Sequence, residues 1–457
     1  IFLYIIFALQ INIVESMELF EKILSGNTRG KCYTNHFHIT LNCDIKEGLE
    51  IWEQDQKTLG TFMHEYLHYI QHLITLRGLS SVNAYNKYFL LCFQTFAKSE
   101  TIDIPLDVLK ESPGLKSFDK GFKSIKGINE NLDITFSEIE ISRANIEKAL
   151  DENTPVKVDV YDYKEDDAMT FDFGYYCIIE SMAHLFQTMI DETATHPNIP
   201  YNSVQLICSF IYPEIAEDKK MMISLCLCAL ISMNPGAYFF EVIEIAKANR
   251  NLSGLQLYEY ILSKKKILYK GKPIKVSELT NLYLTSLEED LKILTNSDLP
   301  VYHSVIKNCK SEINRDSSVL LDMIYNEDIS NPMIIKKLIS IYNYPFIEAN
   351  NLTLLNMIED NEGIMRVAKD VGRLRGLELL IKRLSPPKDE NTQAIIHKCP
   401  LFDECKNKLY DETVKEEFKP EMDENCLVKQ WLKRGTNCVV GETFYYFRLD
   451  EKDYVCH

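Results

Sequence analysis

The sequence predicts an α+β protein in which helices predominate. Long segments with helical spacing of apolar residues follow one another from residue 174 onward. Two shorter stretches, residues 33–43 and 156–163, alternate apolar and polar residues as half-buried strands do. With 46% hydrophobic and 26% charged residues among 457, the chain has an ordinary globular composition and length for two or three domains.

Residues 1–16 open with IFLYIIFALQINIV, which is apolar but short for a membrane span. The segment lacks the basic start and small-residue cleavage site of a secretory signal. Met17 begins an amphipathic stretch, MELFEKIL. We therefore interpret residues 1–16 as a leader or upstream segment, with a core strand or anchor as the alternative.

The first folded domain is predicted to span residues 17–200. A strand at 33–43 precedes a helix over 50–77, interrupted by Gly60 and stopped by Gly78, and a second helix over 83–98. Residues 101–172 are broken by proline and glycine and indicate an insertion of loops and short elements. A strongly apolar helix is predicted at 174–192.

A helical domain is predicted over residues 201–387, with the pair Pro386–Pro387 marking its end. No fixed period relates its helices, so a solenoid is not indicated. A Cys-bearing module, residues 388–457, follows and ends in a strand-like TFYYFRL. The predicted helices lie at about 203–211, 217–233, 236–249, 254–265, 277–294, 317–326, 331–343 and 362–384.

Residues 64–68 read His-Glu-Tyr-Leu-His, an HExxH motif within an apolar helix. Histidines at i and i+4 project from one helix face, where His64 and His68 can bind one zinc ion. Glu65 then reaches a water beside the metal as general base. Chance alone gives on the order of 0.02 such matches in a chain of this composition. His72 extends the same stripe, and we assign it a supporting or substrate-side position.

A catalytic zinc site needs a third protein ligand. In the helix at 174–192, Glu180, His184, Gln187 and Asp191 form one polar face. We predict that this face pairs with the HEYLH helix, with Glu180 as ligand, His184 in a catalytic role and Asp191 in support. His184 as the third ligand stays open as an alternative. Further candidates are in less regular sequence: Glu100, Glu138, Glu140 and His196. His36 and His38 share one side of the first strand, which is more typical of an ordinary strand face.

On the HEYLH motif and the later glutamate, the chain over about residues 30–195 resembles a zincin, and within that clan a gluzincin. The resemblance implies a zincin-like catalytic domain in which His64, His68 and Glu180 hold zinc and Glu65 is the catalytic acid and base. The chain departs from the pattern in two ways. The interval from His68 to Glu180 is longer than in many gluzincins, and His184 stands where that group often has an acidic residue. No glycine-and-histidine extension typical of metzincins follows the motif.

Thirteen cysteines are present. Those from Cys32 to Cys309 lie mostly among apolar residues and are interpreted as buried thiols, a pattern more cytosolic than secreted. In the C-terminal module we identify four candidate ligands of a structural metal: Cys399, Cys405, Cys426 and Cys438. Their spacing is loose and contains no CxxC pair, so disulfides or plain thiols remain alternatives.

The formal net charge of −17 disfavours binding to a nucleic-acid backbone. A phosphate-binding loop, a GxSxG nucleophile and a dinucleotide fingerprint are all absent from the sequence. We therefore expect a cytoplasmic hydrolase that binds no nucleic acid or membrane and cleaves a peptide or protein by zinc-activated water, with a regulatory protein partner also envisaged. The alternatives are an inactive zincin-like interaction or scaffold protein and a zinc hydrolase acting on non-peptide substrates.

Overall fold

The chain is mostly helical, with four small sheets in its described part, as expected for the predicted α+β class. The computed structural model describes residues 29–34, 37–104, 106–128, 130–133, 138–162, 167–297, 300–344, 346–350, 353–354, 370–378, 380–381, 384, 447–448 and 452–456.

The helices follow in chain order. They are α1 (Gln56–Ile74), α2 (Leu76–Lys98), α3 (Pro113–Ile125), α4 (Arg143–Glu152), α5 (Tyr175–Gln187), α6 (Asn198–Tyr201), α7 (Ser203–Ile211), α8 (Lys219–Ala229), α9 (Pro235–Ala248), α10 (Gly254–Lys264), α11 (Val276–Thr295), α12 (Pro300–Ile313), α13 (Val319–Asn326) and α14 (Pro332–Tyr342). Three short 3-10 helices also occur, at Ile51–Glu53, Leu109–Glu111 and Pro213–Ile215.

The strands are short. They are β1 (Gly30–Tyr33), β2 (His38–Leu41), β3 (Thr101–Ile104), β4 (Glu138–Glu140), β5 (Val156–Asp162), β6 (Asp167–Phe173), β7 (Lys266–Tyr269), β8 (Lys272–Lys275), β9 (Phe346–Ala349), β10 (Thr353–Leu354) and β11 (Asp453–Cys456). The sheets have the strand orders β1-β2-β9-β10, β4-β5-β6, β7-β8 and β11-β3.

Helix α1 forms the centre of the core. Asp55 caps its start by accepting a hydrogen bond from the Thr58 backbone N–H at 3.0 Å. Every residue of α1 from Thr58 to Ile74 is buried, which is typical of a helix covered on all sides. The polar side chains of its HEYLH motif therefore lie inside the protein.

The break between α1 and α2 differs from the prediction. The sequence indicated one helix over 50–77 that stops at Gly78, but α1 ends at Ile74 and α2 begins at Leu76. Thr75 is extended between them, and its hydroxyl accepts a hydrogen bond from the Gly78 backbone N–H. Gly78 belongs to the first turn of α2. A Cβ there would lie 2.3 Å from the Gln71 carbonyl oxygen, so glycine permits the two helices to meet this closely.

Helices α1 and α5 pack against each other in antiparallel fashion. Near one end of the pair, a Cβ at Gly60 would lie 2.9 Å from the Asp191 Cβ. Further along, the Gln71 side-chain amide donates to the Ile179 carbonyl at 3.1 Å. The predicted helix at 174–192 is shorter than expected, because α5 ends at Gln187 and a turn follows. The polar faces of α1 and α5 meet, as the sequence predicted.

The first sheet joins distant parts of the sequence. Strand β2 pairs with β1 in antiparallel register, Tyr33 opposite His38. On its other side β2 pairs in parallel with β9, His38 opposite Phe346. The predicted single strand at 33–43 is thus part of a hairpin. The predicted domain boundaries at 200 and 387 stay predictions, although this sheet crosses the first of them.

The insertion at 101–172 contains short elements, as predicted: β3, α3, β4, α4 and the paired β5 and β6. The helices predicted between 203 and 343 are present, with bounds shifted by a few residues. The sequence reading omitted α12, the hairpin β7-β8 and the strand β9. Residues 370–378 of the helix predicted at 362–384 are helical.

Several predictions lie largely outside the described residues: the segment 1–16, the cysteines from Cys399 to Cys438, and His36. Of the predicted strand TFYYFRL, only Phe447 and Arg448 are described, and both are in a turn. The eight cysteines from Cys32 to Cys309 form no disulfide, and seven of them are buried.

Candidate metal centre

Three predicted ligands converge where α1 faces α5. Within the described residues, His64, His68 and Glu180 form the one group of three or more His, Cys, Asp or Glu side chains whose ligand atoms all lie within 4.8 Å of one another. The Nε2 atoms of His64 and His68 each lie 3.3 Å from the Glu180 Oε2 atom. Of the two candidates for a third ligand, the structure brings Glu180 and not His184 into this group.

A hydrogen bond to Gln71, on the side of the ring away from Glu180, fixes the orientation of His68. The Gln71 side-chain nitrogen donates to the Ile179 carbonyl, so its Oε1 atom faces His68 and must accept a hydrogen bond. The His68 Nδ1 atom, 2.9 Å away, is therefore assigned as the donor. In a neutral imidazole this places the lone pair on Nε2, which faces Glu180. A hydrogen bond of this kind orients the ring for metal binding.

The His68 Nε2 lone pair and the Glu180 Oε2 atom, both acceptors, are then 3.3 Å apart. Such a contact requires a proton or a metal ion between the two atoms. In the metal-free protein, a proton on the His68 Nε2 atom takes this position. Burial alone would lower the pKa of His68, but the charge and hydrogen bond of Glu180 outweigh it and raise that pKa to about 9. Burial alone would raise the pKa of Glu180, but the charges and hydrogen bonds of His68 and His64 bring it well below its usual range. The metal-free site thus holds an ion pair.

Glu65 lies on the other side of the motif, against strand β1. A Cβ at Gly30 would lie 2.6 Å from the Glu65 Cγ, so glycine leaves room for the carboxylate arm. The Cys32 backbone N–H donates a hydrogen bond to this carboxylate. Burial raises the pKa of Glu65, while His64 and His68 lower it by a smaller amount. A raised pKa suits a group that takes up a proton near neutral pH.

A cluster of rings surrounds His64 on the α5 side. The His196 ring stacks on the His64 ring, with centroids 5.5 Å apart, and also contacts the rings of His184 and Tyr201. His196 is held by a 3.0 Å hydrogen bond to Gln187. We name His184, His196 and Tyr201 the ring cluster. His196 lies in less regular sequence and was only one of several further candidates, and no sequence motif marks Tyr201.

The ring cluster is uncharged near neutral pH. Burial, followed by the nearby His196 and His64, lowers the pKa of His184 to about 3. Burial, followed by His64, lowers the pKa of His196 to about 4. Burial raises the pKa of the Tyr201 phenol above its usual range. His184 and Tyr201 can therefore donate hydrogen bonds without carrying a positive charge, whereas the one N–H of neutral His196 is donated to the Gln187 Oε1 atom.

The remaining predicted residues have structural contacts. The His72 Nδ1 atom lies 2.7 Å from the His68 carbonyl oxygen, and its Nε2 atom lies 3.0 Å from the Tyr175 hydroxyl. Asp191 accepts hydrogen bonds from the backbone and hydroxyl of Thr193 and so holds the turn after α5. His38 is buried beside Glu348, at 3.2 Å. The acids Glu100, Glu138 and Glu140 are exposed.

Comparisons with known proteins give no relatives: no protein-family model, no curated protein and no solved structure matches the chain. Within the described ranges, every helix is too short or too polar to cross a bilayer.

Proposed function

We propose that this protein is a zinc-dependent hydrolase, and specifically a metallopeptidase. The observation that carries the proposal is the convergence of His64, His68 and Glu180, with ligand atoms within 4.8 Å, beside a buried Glu65. The three residues come from two helices that the sequence independently marked as polar on one face. Two further features support the assignment: the hydrogen bond that orients His68, and the neutral ring cluster next to the site.

The donor set fits zinc. Two imidazole nitrogens and one carboxylate oxygen are typical ligands of catalytic zinc, which keeps a fourth position open for water or substrate. Magnesium and calcium prefer oxygen ligands alone, so the two histidines disfavour them. Two acceptor atoms held at 3.3 Å, with the His68 Nδ1 proton already committed to Gln71, also suit a cation better than a second hydrogen bond.

Zinc, when bound, supplies a Lewis acid that polarises a carbonyl and lowers the pKa of water. Glu65 accepts the proton of the attacking water at its carboxylate and returns it to the leaving nitrogen. Its raised pKa favours the uptake of that proton. The ring cluster offers neutral N–H and O–H donors to the substrate oxygen on which negative charge develops. We assign this catalytic role first to His184, and extend it to Tyr201, while His196 packs between their rings and that of His64.

The site is narrow. His64, Glu65, His68 and His184 are each buried, with 6–8% of their surface exposed. We therefore propose a peptide or protein substrate with restricted sequence, and control of access by a protein partner. Indiscriminate cleavage of an unfolded protein such as casein by the isolated chain would contradict this restriction.

The first test is the zinc content of the purified chain. We expect about one zinc per chain, lost in His68→Ala and kept in Glu65→Gln and in the control His303→Ala, whose imidazole is exposed. A second zinc that survives His68→Ala would indicate the cysteines of the C-terminal module. A wild-type chain that binds no zinc after reconstitution would overturn the proposal and favour an interaction protein.

The second test is a peptide library read by mass spectrometry. We expect cleavage by the zinc-loaded chain and a loss of roughly 10²–10⁴-fold in Glu65→Gln, the usual range for general acid–base groups. Zinc binding without peptide cleavage, but with turnover of another amide or ester, would assign a non-proteolytic hydrolase.

A further inference from the structure

Arg77, in the first turn of α2, is a buried cation enclosed by aromatic rings. Only 2% of its surface is exposed. Its guanidinium carbon lies 4.8 Å from the Phe122 ring centroid, 5.3 Å from that of Phe118 and 5.7 Å from that of Tyr175. Such contacts cover the faces of the guanidinium group and leave its N–H edge for hydrogen bonds.

That edge is not satisfied by the part of the chain that the structure describes. The Arg77 Nε and Nη2 atoms are buried and have no hydrogen-bond partner there, and no described carboxylate forms an ion pair with the residue. The acid next to Phe118 in the sequence, Asp119, pairs with Lys123 at 3.4 Å. The titratable groups that act on Arg77 are the phenols of Tyr175 and Tyr283. Buried charges are normally paired, so an unpaired one calls for a counter-ion.

Helix α2 begins at Leu76, so the positive end of its dipole lies beside the Arg77 backbone. Helix α2 has 23 residues, Arg77 is the second of them, and its first turn contains no acidic residue. A helix N-terminus attracts negative charge and disfavours a cation. One turn further, the buried Ser80 hydroxyl also has no hydrogen-bond partner among the described residues. The first backbone N–H groups of α2 are already donated, that of Arg77 to the Leu230 carbonyl and that of Gly78 to the Thr75 hydroxyl. The guanidinium edge would therefore hold the anion directly. The anion would offset the charge of Arg77 and, more weakly, the helix dipole.

We propose that Arg77 and the start of α2 form a binding site for a small inorganic anion, with chloride as its ligand. The low exposure of Arg77 disfavours larger anions, such as a peptide carboxylate, that would need an open channel. This site is separate from the candidate metal centre and does not depend on the proposed hydrolysis.

The test is thermal unfolding of the metal-free chain, with chelator present, in chloride against gluconate at constant ionic strength. Mass action predicts that the Tm rises by roughly 1–2 °C for each tenfold increase of chloride above its Kd. The response should vanish in Arg77→Met and persist in Arg143→Met, whose side chain is 90% exposed. Equal responses in wild type and Arg77→Met would overturn the proposal.

A second measurement uses only the wild-type protein, so it does not depend on whether the Arg77→Met variant folds. Wild-type crystals soaked in bromide should show an anomalous scattering peak at the N–H edge of Arg77. A peak at that edge supports the site. Bromide peaks elsewhere with none at Arg77, or an ordered water in its place, would overturn it. Because chelator removes zinc in the first test, neither result depends on whether the chain is a hydrolase.

Discussion

The protein has two buried positive charges, His68 on α1 and Arg77 on α2, which are compensated in different ways. At the candidate metal centre, the charge of His68 is paired with Glu180 at 3.3 Å. At the start of α2, Arg77 has aromatic rings around it and no described carboxylate. The first charge can be exchanged for a metal ion, because a proton and zinc compete for the same lone pair. The second is permanent and must be balanced by an added anion.

Between these two places lies a hydrogen-bonded pair of side chains. His72 and Tyr175 share a hydrogen bond of 3.0 Å, and the Tyr175 ring also contacts Arg77. His72 is one helical turn from His68 but is occupied by this bond and by the His68 carbonyl. The polar stripe that the sequence shows as one feature therefore divides into a metal-binding part and a structural part.

Removing the carboxylate at the metal centre should have the largest effect. In Glu180→Ala the site loses one metal ligand and its negative charge. Losing a residue that only supports a ligand lowers metal affinity by up to roughly 100-fold, so we expect zinc affinity to fall by more than that here. Competition with a chromophoric chelator measures it, with the exposed Glu192→Ala as control. His184→Ala should retain zinc. The reverse pattern, zinc kept in Glu180→Ala and lost in His184→Ala, would establish a three-histidine site.

The two charges should also respond differently to pH. The pKa of His68 is raised from 6.5 to about 9 in the folded, metal-free chain. Its stabilisation is therefore complete below pH 6.5 and is lost as the pH rises through 9, by at most about 3 kcal/mol. Burial lowers the pKa of Arg77 only to about 10, so that residue keeps its charge in this window. Denaturant unfolding of the metal-free chain from pH 6 to 9.5 measures the loss.

His68→Asn should remove most of this pH dependence, because the imidazole whose pKa is raised is no longer present. Zinc binding should also release about one proton near pH 7, seen by calorimetry in buffers of different ionisation enthalpy. A wild-type stability that is flat between pH 6.5 and 9, with no proton released, would contradict the ion pair.

Removing the hydrogen bond between Gln71 and His68 should have a smaller effect on zinc affinity. Gln71→Leu leaves the His68 Nδ1–H without its acceptor, so the ring is free to change its tautomer and orientation. We expect zinc affinity to fall roughly 10- to 100-fold. The exposed Gln94→Leu on α2 is the matched control. Imidazole ¹⁵N shifts should show the Nδ1–H form in wild type and a mixture in Gln71→Leu. An unchanged spectrum and affinity would show that packing alone orients the ring.

Most residues of the candidate site could be predicted, because they are identified by patterns within single helices. The spacing of His64 and His68 follows from helix geometry, and the polar face of α5 is visible in an apolar sequence. Tyr201 and Gly30 were not predictable, since Tyr201 ends the short helix α6 and Gly30 begins strand β1, and the positions of both elements depend on tertiary packing. Gln71 lies within the predicted helix, but its role depends on the Ile179 carbonyl across the interface.

In the fold, too, elements with a local sequence pattern were predicted more easily than those that depend on distant partners. Helices after residue 200 have clear periodicity and were found, but α12 was overlooked although Tyr302, Val305, Ile306 and Cys309 are buried at helical spacing. Strand β9 has four residues and pairs in parallel with β2, about three hundred residues earlier in the chain. No local pattern specifies such a partner. Arg77 likewise appears in the sequence as an ordinary charged residue at a helix start.

The smallest expected effect concerns the link between the two charges. Tyr175→Phe removes the hydroxyl that lies 3.0 Å from His72 Nε2 but keeps the ring beside Arg77. A buried acceptor left without its donor costs about 1–3 kcal/mol, so the free energy of unfolding should fall by that amount. Zinc affinity and the chloride response should both stay near wild type, because neither depends on the hydroxyl. The exposed Tyr260→Phe controls for the loss of a phenol.

Combining Tyr175→Phe with Glu180→Ala distinguishes independent sites from coupled ones. If the metal centre and the Arg77 site are independent, the effects of the two substitutions on stability add within about 0.5 kcal/mol. A larger deviation would mean that the His72–Tyr175 bond transmits the state of one site to the other. Zinc would then change the midpoint of the chloride titration, and chloride would change zinc affinity by the same factor, since such coupling is reciprocal. Titrating each ion at saturating concentrations of the other measures that factor directly.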